Sequence, residues 1–170
     1  TQNRMTLVKA YDAASGSLTD VSGQDSPEIK RLLEYGSLCC DGSVIEKDGE
    51  VQHIGDPTET CIVYAAMKNG SPKEKLAQEY PRLTELPFDS DRKLMTTVNR
   101  VDGKLMVIVK GAFDVMAARC VAGDLEAASR ANEQMSAAAL RVLAVGCKVI
   151  DELPAERTPE TLENGLTLLG

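Results

Sequence analysis

A chain of 170 residues, 43% apolar and 26% charged, is long enough for one domain with a core of its own and too short for two ordinary ones. That balance excludes a disordered chain, and the net charge of −7 excludes a general nucleic-acid binder, whose backbone affinity comes from Lys and Arg on phosphates. Five cysteines without a C-x-x-C pair and one histidine argue against a zinc site and for reduced thiols.

No apolar run reaches the roughly 20 residues of a membrane helix, and the first residues lack the basic and apolar regions of a signal peptide. The chain is therefore expected to be soluble and not membrane-inserted. In chain order, residues 5–11 read as a strand and 16–23 as a turn-rich connection. Ser26-Pro27-Glu28 opens a helix: Ser26 caps it, Pro27 fits the first helical position, and Ile29, Leu32, Leu33 and Gly36 line one face up to about Cys39. Residues 41–53 are polar and glycine-containing, which suits a loop or a short hairpin. Asp56-Pro57-Thr58-Glu59 opens the next helix, with aspartate at the cap and glutamate three residues later, and Asn69-Gly70 stops it. A second amphipathic helix covers 72–79.

From Arg82 the period changes to that of a strand reaching Phe88. Two β-rich runs, 94–100 and 105–109, then flank Asp102-Gly103, a strong hairpin signal. Residues 113–120 resemble a short helix. Residues 125–145 read as a long one with Met135, Ala139, Val142 and Leu143 on its buried face, although 145–150 also suits a strand. Residues 152–164 form a polar, proline-containing exit. Strands and helices come in runs with hairpin chemistry rather than as strand-helix-strand repeats, so the expected class is α+β, an antiparallel β-sheet flanked by helices.

Separated segments along the chain, in order, resemble the nucleotide-binding domain of type II P-type cation-transporting ATPases, the calcium pumps among them. Thr1-Gln2-Asn3-Arg4-Met5-Thr6 is similar to the residues that follow the family's Asp-Lys-Thr-Gly-Thr phosphorylation motif, which this sequence lacks. Gly55-Asp56-Pro57-Thr58-Glu59-Thr60 resembles a helix opening of the family, and Pro87-Phe88-Asp89-Ser90-Asp91-Arg92-Lys93 resembles its Pro-Phe-x-Ser-x-Arg-Lys segment. Val109-Lys110-Gly111-Ala112 matches its Lys-Gly-Ala motif, with Phe113-Asp114 where Pro-Glu is common. Leu140-Arg141-Val142-Leu143-Ala144 is similar to its Leu-Arg-x-Leu-Ala stretch, and Leu166-Thr167-Leu168-Leu169-Gly170 to the return into the phosphorylation domain.

The resemblance implies that residues 1–170 are a single ATP-binding domain set between two halves of a phosphorylation domain, cytoplasmic, in a bacterial plasma-membrane pump. It implies ATP as ligand, with Mg²⁺ in the intact enzyme, and the pump's phosphorylation and actuator domains as partners. Calcium is the implied cargo; sodium, potassium, protons or magnesium, or a free-standing nucleotide-binding or protein-interaction module, are the alternatives. No catalytic residue and no metal site is expected in the chain itself.

Residue by residue, Phe88 suits either core packing or a flat platform for adenine, and the resemblance favours the platform. Lys110 ends an apolar strand as an ordinary solvated lysine could, and Gly111 and Ala112 leave room for a ring to approach the backbone. The resemblance places Lys110 beside the nucleotide. Glu59 suits a capping box to the N–H of Asp56; its family counterpart faces the adenine amino group. Arg141 reads as a surface arginine or as a phosphate contact, and Arg92 and Lys93 as cations of general attraction. His53 sits in a polar stretch where a solvated role is expected. No Gly-rich loop with Gly-Lys-(Ser/Thr) is present, so a P-loop is excluded.

Overall fold

Both helix starts marked by proline form where the caps require. The computed structural model describes residues 4–170, so Thr1, Gln2 and Asn3 of the first matched segment lie outside the described residues. Strands β1 (Lys9–Asp12) and β2 (Ser17–Asp20) form an antiparallel hairpin. The strand expected from residue 5 is thus shorter, and its turn-rich sequel contains a strand of its own. Helix α1 (Pro27–Leu38) follows, with the Ser26 hydroxyl accepting from the N–H of Ile29 and with Ile29, Leu32, Leu33 and Gly36 buried.

Strands β3 (Ser43–Lys47) and β4 (Glu50–Ile54) are the hairpin alternative read for 41–53. Helices α2 (Pro57–Lys68) and α3 (Lys73–Glu79) lead into β5 (Arg82–Asp89), β6 (Leu94–Val101) and β7 (Lys104–Gly111). β6 and β7 pair around Asp102-Gly103, both at positive φ, as the dipeptide predicts. The rest of the chain supplies α4 (Phe113–Arg119), β8 (Cys120–Ala122), α5 (Leu125–Ala137), β9 (Ala144–Ile150), α6 (Pro159–Leu162) and β10 (Leu166–Leu168).

The long helix expected over 125–145 is corrected by this order. α5 stops at Ala137, Ala139 takes φ 61°, and the N–H groups of Ala139 and Leu140 donate to the carbonyls of Ser136 and Met135. This is a Schellman stop built on alanine where glycine is usual, so the alanine run conceals it. Ala128 and Ala131 are the buried residues of α5, while Ala139 and Leu143 are exposed. Residues 144–150 pair with Leu105–Gly111 of β7, which is the strand alternative read for 145–150.

The six-stranded sheet runs in the order β5-β6-β7-β9-β10-β8, antiparallel except for the β10 and β8 pair. One face, with Leu94, Val98, Val107 and Val109, packs on Met116 of α4, Ala128 and Ala131 of α5 and Leu162 of α6. The other, with Met95, Ile108 and Val145, packs on α1, α2 and α3 through Ile29, Leu32, Leu33, Ala65, Ala66 and Leu76. Alternate residues of β7 enter opposite cores, as the strand period of two demands. The α+β class is the one observed.

Candidate functional site

Register brings the matched motifs to one end of the sheet. Asp89, Leu94, Gly111 and Ala144 form one row across β5, β6, β7 and β9, and Met95, Lys110 and Val145 form the next. Phe88 and Lys93 immediately precede members of the first row; Gly111 belongs to it, and Ala112 follows it. Arg141 lies three residues before Ala144. Helix α2 brings Glu59 to the same end in its first turn.

Glu59 and Lys110 meet across 51 residues of sequence, with Lys110 Nζ 3.2 Å from Glu59 Oε2. Their side chains are 14% and 8% exposed, so this is a buried pair rather than a solvated lysine. The other oxygen, Glu59 Oε1, accepts the N–H groups of Asp41 and Gly42, each at 3.2 Å. Glu59 therefore does not close a capping box on Asp56. Asp56 does the capping, its Oδ1 accepting from the N–H of Thr58 at 2.9 Å and from the Thr58 hydroxyl at 2.7 Å. Gly55, at φ 117°, makes the arrangement possible: a Cβ there would stand 2.9 Å from Gly42 Cα.

The electrostatics favour a charged Lys110. Burial works against its ammonium, and the Glu59 carboxylate 3.2 Å away works for it. Burial also pushes the Cys39 and Cys40 thiols up, Cys39 to about 11, so at neutral pH the carboxylate is the anion that meets Lys110. The Asp56 pKa is lowered, first by the Thr58 hydroxyl and N–H, against some desolvation, and then by the fields of Lys110 and Arg141. Arg141 and Lys110 are thus close enough to the α2 start to act on the same carboxylate.

Phe88 is 58% exposed, which rules out the core reading and leaves a ring facing solvent at the end of β5. The turn behind it is tightly bonded: Asp89 Oδ1 accepts from the N–H groups of Asp91 and Arg92, and the N–H of Lys93 donates to the carbonyl of Asp89. Lys93, at φ 62°, is exposed and makes no ion pair among the described residues. Arg92 is no cation of general attraction. Its Nε donates to Glu163 at 2.8 Å, and its Nη2 donates to the carbonyls of Pro87 and Leu94.

Gly111 has a backbone reason of its own. A Cβ there would lie 2.2 Å from the Lys93 carbonyl oxygen, an oxygen that also accepts from the N–H of Ala112 at 3.3 Å. The closest approach at Gly111 is thus that of the Phe88 turn, not open space for a ring.

Two further placements depart from expectation. His53 lies on β4, its Nδ1 3.0 Å from the Thr60 hydroxyl and its Nε2 buried without a partner among the described residues. Desolvation, then Arg4, lowers its pKa, so it is a neutral packed imidazole rather than a solvated one. Glu163 falls in the stretch read as a polar exit, yet it is fully buried; nothing local marks it, because its partners Arg92 and Thr96 lie far away in sequence.

A cleft of about 380 Å³ opens beside the cluster, lined mainly by apolar residues of β1, α1, α5 and residues 139–145, with Thr58 and Arg141 on its wall. Phe88, Lys110 and Glu59 do not line it. It adjoins the cluster without containing it. Among the described residues no group of His, Cys, Asp and Glu could hold a metal, and no helix is long and apolar enough to cross a membrane.

Comparison with known proteins identifies the family. The family described as P-type ATPase, cytoplasmic domain N, matches residues 28–170. Calcium-transporting ATPase 1 of Lactococcus lactis is 37% identical over 184 aligned residues, covering 100% of this chain and 20% of the relative. Calcium-transporting ATPases of Listeria monocytogenes and Bacillus subtilis are each 33% identical, over 96% and 100% of this chain and 20% and 22% of their own lengths. The chain thus spans about a fifth of the relatives it matches. From the domain match and these identities along the chain, the protein belongs to the P-type ATPases, as their cytoplasmic domain N.

Proposed function

We propose that this chain, as one domain over residues 1–170, holds ATP for a bacterial calcium-transporting pump and presents the γ-phosphate to an aspartate of that pump's phosphorylation domain. The observation that carries the reading is the solvent-facing ring of Phe88 at the sheet end where the buried Lys110–Glu59 pair sits. An exposed aromatic face at the end of a strand offers adenine a stacking partner, worth about 1 to 3 kcal/mol for a base on an aromatic side chain. Glu59 has one acceptor site of about four beyond those used by Lys110, Asp41 and Gly42, and so can accept from an adenine amino group. Lys110 offers a charge that Glu59 holds in place. Gly111 and Ala112 complete the wall beside it through the backbone.

Arg141 and Lys93, both exposed, suit the phosphates, where a guanidinium fork and a mobile ammonium serve different oxygens. Mg²⁺ in the intact enzyme would neutralise charge on those phosphates. The domain's own contribution is positioning, the larger part of catalysis in phosphoryl transfer. Calcium as cargo is supported by the names of the calcium-transporting relatives; the plasma membrane as location and the actuator and phosphorylation domains as partners belong to the same proposal.

Titration of the isotope-labelled chain with ATP tests the reading. Amide shifts at Phe88, Lys110 and Gly111 at millimolar nucleotide, without phosphate release, are the expected result. Unaltered spectra would sink it. Calcium uptake into vesicles by the intact pump, unmatched with sodium, potassium, protons or magnesium, is the expected result for cargo.

A further inference from the structure

The side chain of Glu163 is fully buried, and that of its partner Arg92 is 17% exposed. A buried carboxylate is costly unless every oxygen is satisfied. Here Oε1 accepts from Arg92 Nε at 2.8 Å, and Oε2 accepts from the Thr96 hydroxyl. The same guanidinium reaches both ends of the turn that carries the aromatic ring. Its Nη2 donates at 3.0 Å to the carbonyl of Pro87, the residue before Phe88, and at 2.9 Å to that of Leu94, the residue after Lys93.

Arg92 therefore closes residues 87–94 into a ring, and Glu163 fixes the guanidinium that closes it. Glu163 caps the C-terminal end of α6, three residues before β10 begins. β10 runs on to Leu169 and Gly170, which bond to Val145, and Val145 is the register partner of Lys110. One terminal segment thus touches the Phe88 turn by a side chain and the Lys110 row by its backbone.

We propose that Arg92 and Glu163 are positioning residues for nucleotide binding, acting through Phe88 without touching the ligand. The inference rests on the nucleotide reading above. Neutralising Glu163 removes the anion that orients the guanidinium, so both carbonyl contacts loosen and Phe88 leaves its stacking position. The loss belongs to the adenine end of the ligand, so adenosine and ATP suffer equally.

Affinities of the chain for adenosine and for ATP, read from NMR titrations, supply the test in a double-mutant cycle. Glu163→Gln is expected to weaken both ligands by the same factor, about tenfold for a misplaced stacking group. In a Phe88→Ala background it is expected to weaken neither further. Arg92→Lys keeps a cation for Glu163 but cannot serve both carbonyls, and should reproduce the loss with the fold intact by circular dichroism. It decides the matter if Glu163→Gln does not fold.

Parental affinity in Arg92→Lys, or losses that add in full to those of Phe88→Ala, overturns the proposal. So does a lower melting temperature with parental affinity in the folded fraction. Parental affinity in Phe88→Ala alone is a different failure, since it overturns the nucleotide reading and this proposal with it.

Discussion

Glu59 and Lys110 hold each other in a place where neither would be tolerated alone. The pair is nearly out of water, and removing one member of such a pair leaves an uncompensated buried charge, which costs more than the pair contributes. Glu59→Ala also strands the N–H groups of Asp41 and Gly42. It is expected to destabilise the chain by about 3 kcal/mol, measured by urea unfolding. Adding Lys110→Met should recover part of that loss, because no charge then remains buried; equal stability of the single and double variants would refute the buried-pair account. Lys110 and Phe88 were both legible in the sequence as family positions, and exposure removed the core reading of Phe88. Glu163 was not legible: a glutamate in a polar stretch gives no sign that an arginine 71 residues away will bury it.

At the scale of elements, local chemistry was readable wherever it alone decides the structure. Ser26 and Asp56 cap α1 and α2 as their side chains dictate, and Asp102-Gly103 turns β6 into β7. The readings failed where long-range pairing decides. β2 exists through its pairing with β1 and β10 through β9 and β8, while for residues 145–150, which suited a helix or a strand, pairing with β7 selects the strand although the preceding alanines favour a helix. Asp56 deserves its own prediction because it both caps α2 and feels Lys110 and Arg141. Asp56→Ala is expected to cost about 1 kcal/mol in thermal or urea unfolding at neutral pH. Since its pKa is lowered on folding, its contribution is complete above the ordinary carboxylate value and fades as pH falls through the folded value. The gap between parent and variant should therefore close below about pH 4. A gap independent of pH would mean that the carboxylate charge is not what caps the helix.

For the whole molecule, a binding domain and an enzyme differ in what nucleotide does to them. On the proposed reading the residues of this chain orient ATP, and the family's phosphorylation motif is not among them. A ligand that binds only the folded state stabilises it by RT ln(1 + [L]/Kd), about 1.4 kcal/mol at ten times Kd. For a domain of this size each kcal/mol raises the melting temperature by about 2 to 4 °C. ATP at that concentration should thus raise it by about 3 to 6 °C, with no phosphate released over the same interval. The acidic net charge sets a further condition, because the surrounding field repels an anionic ligand and only the local cations at the sheet end attract it. Phe88→Ala should accordingly reduce the ATP-induced shift while leaving the ligand-free melting temperature nearly unchanged, since a ring already 58% exposed contributes little to the core. A shift that survives in Phe88→Ala would move the binding site away from this end of the sheet, towards the cleft that Arg141 and Thr58 line.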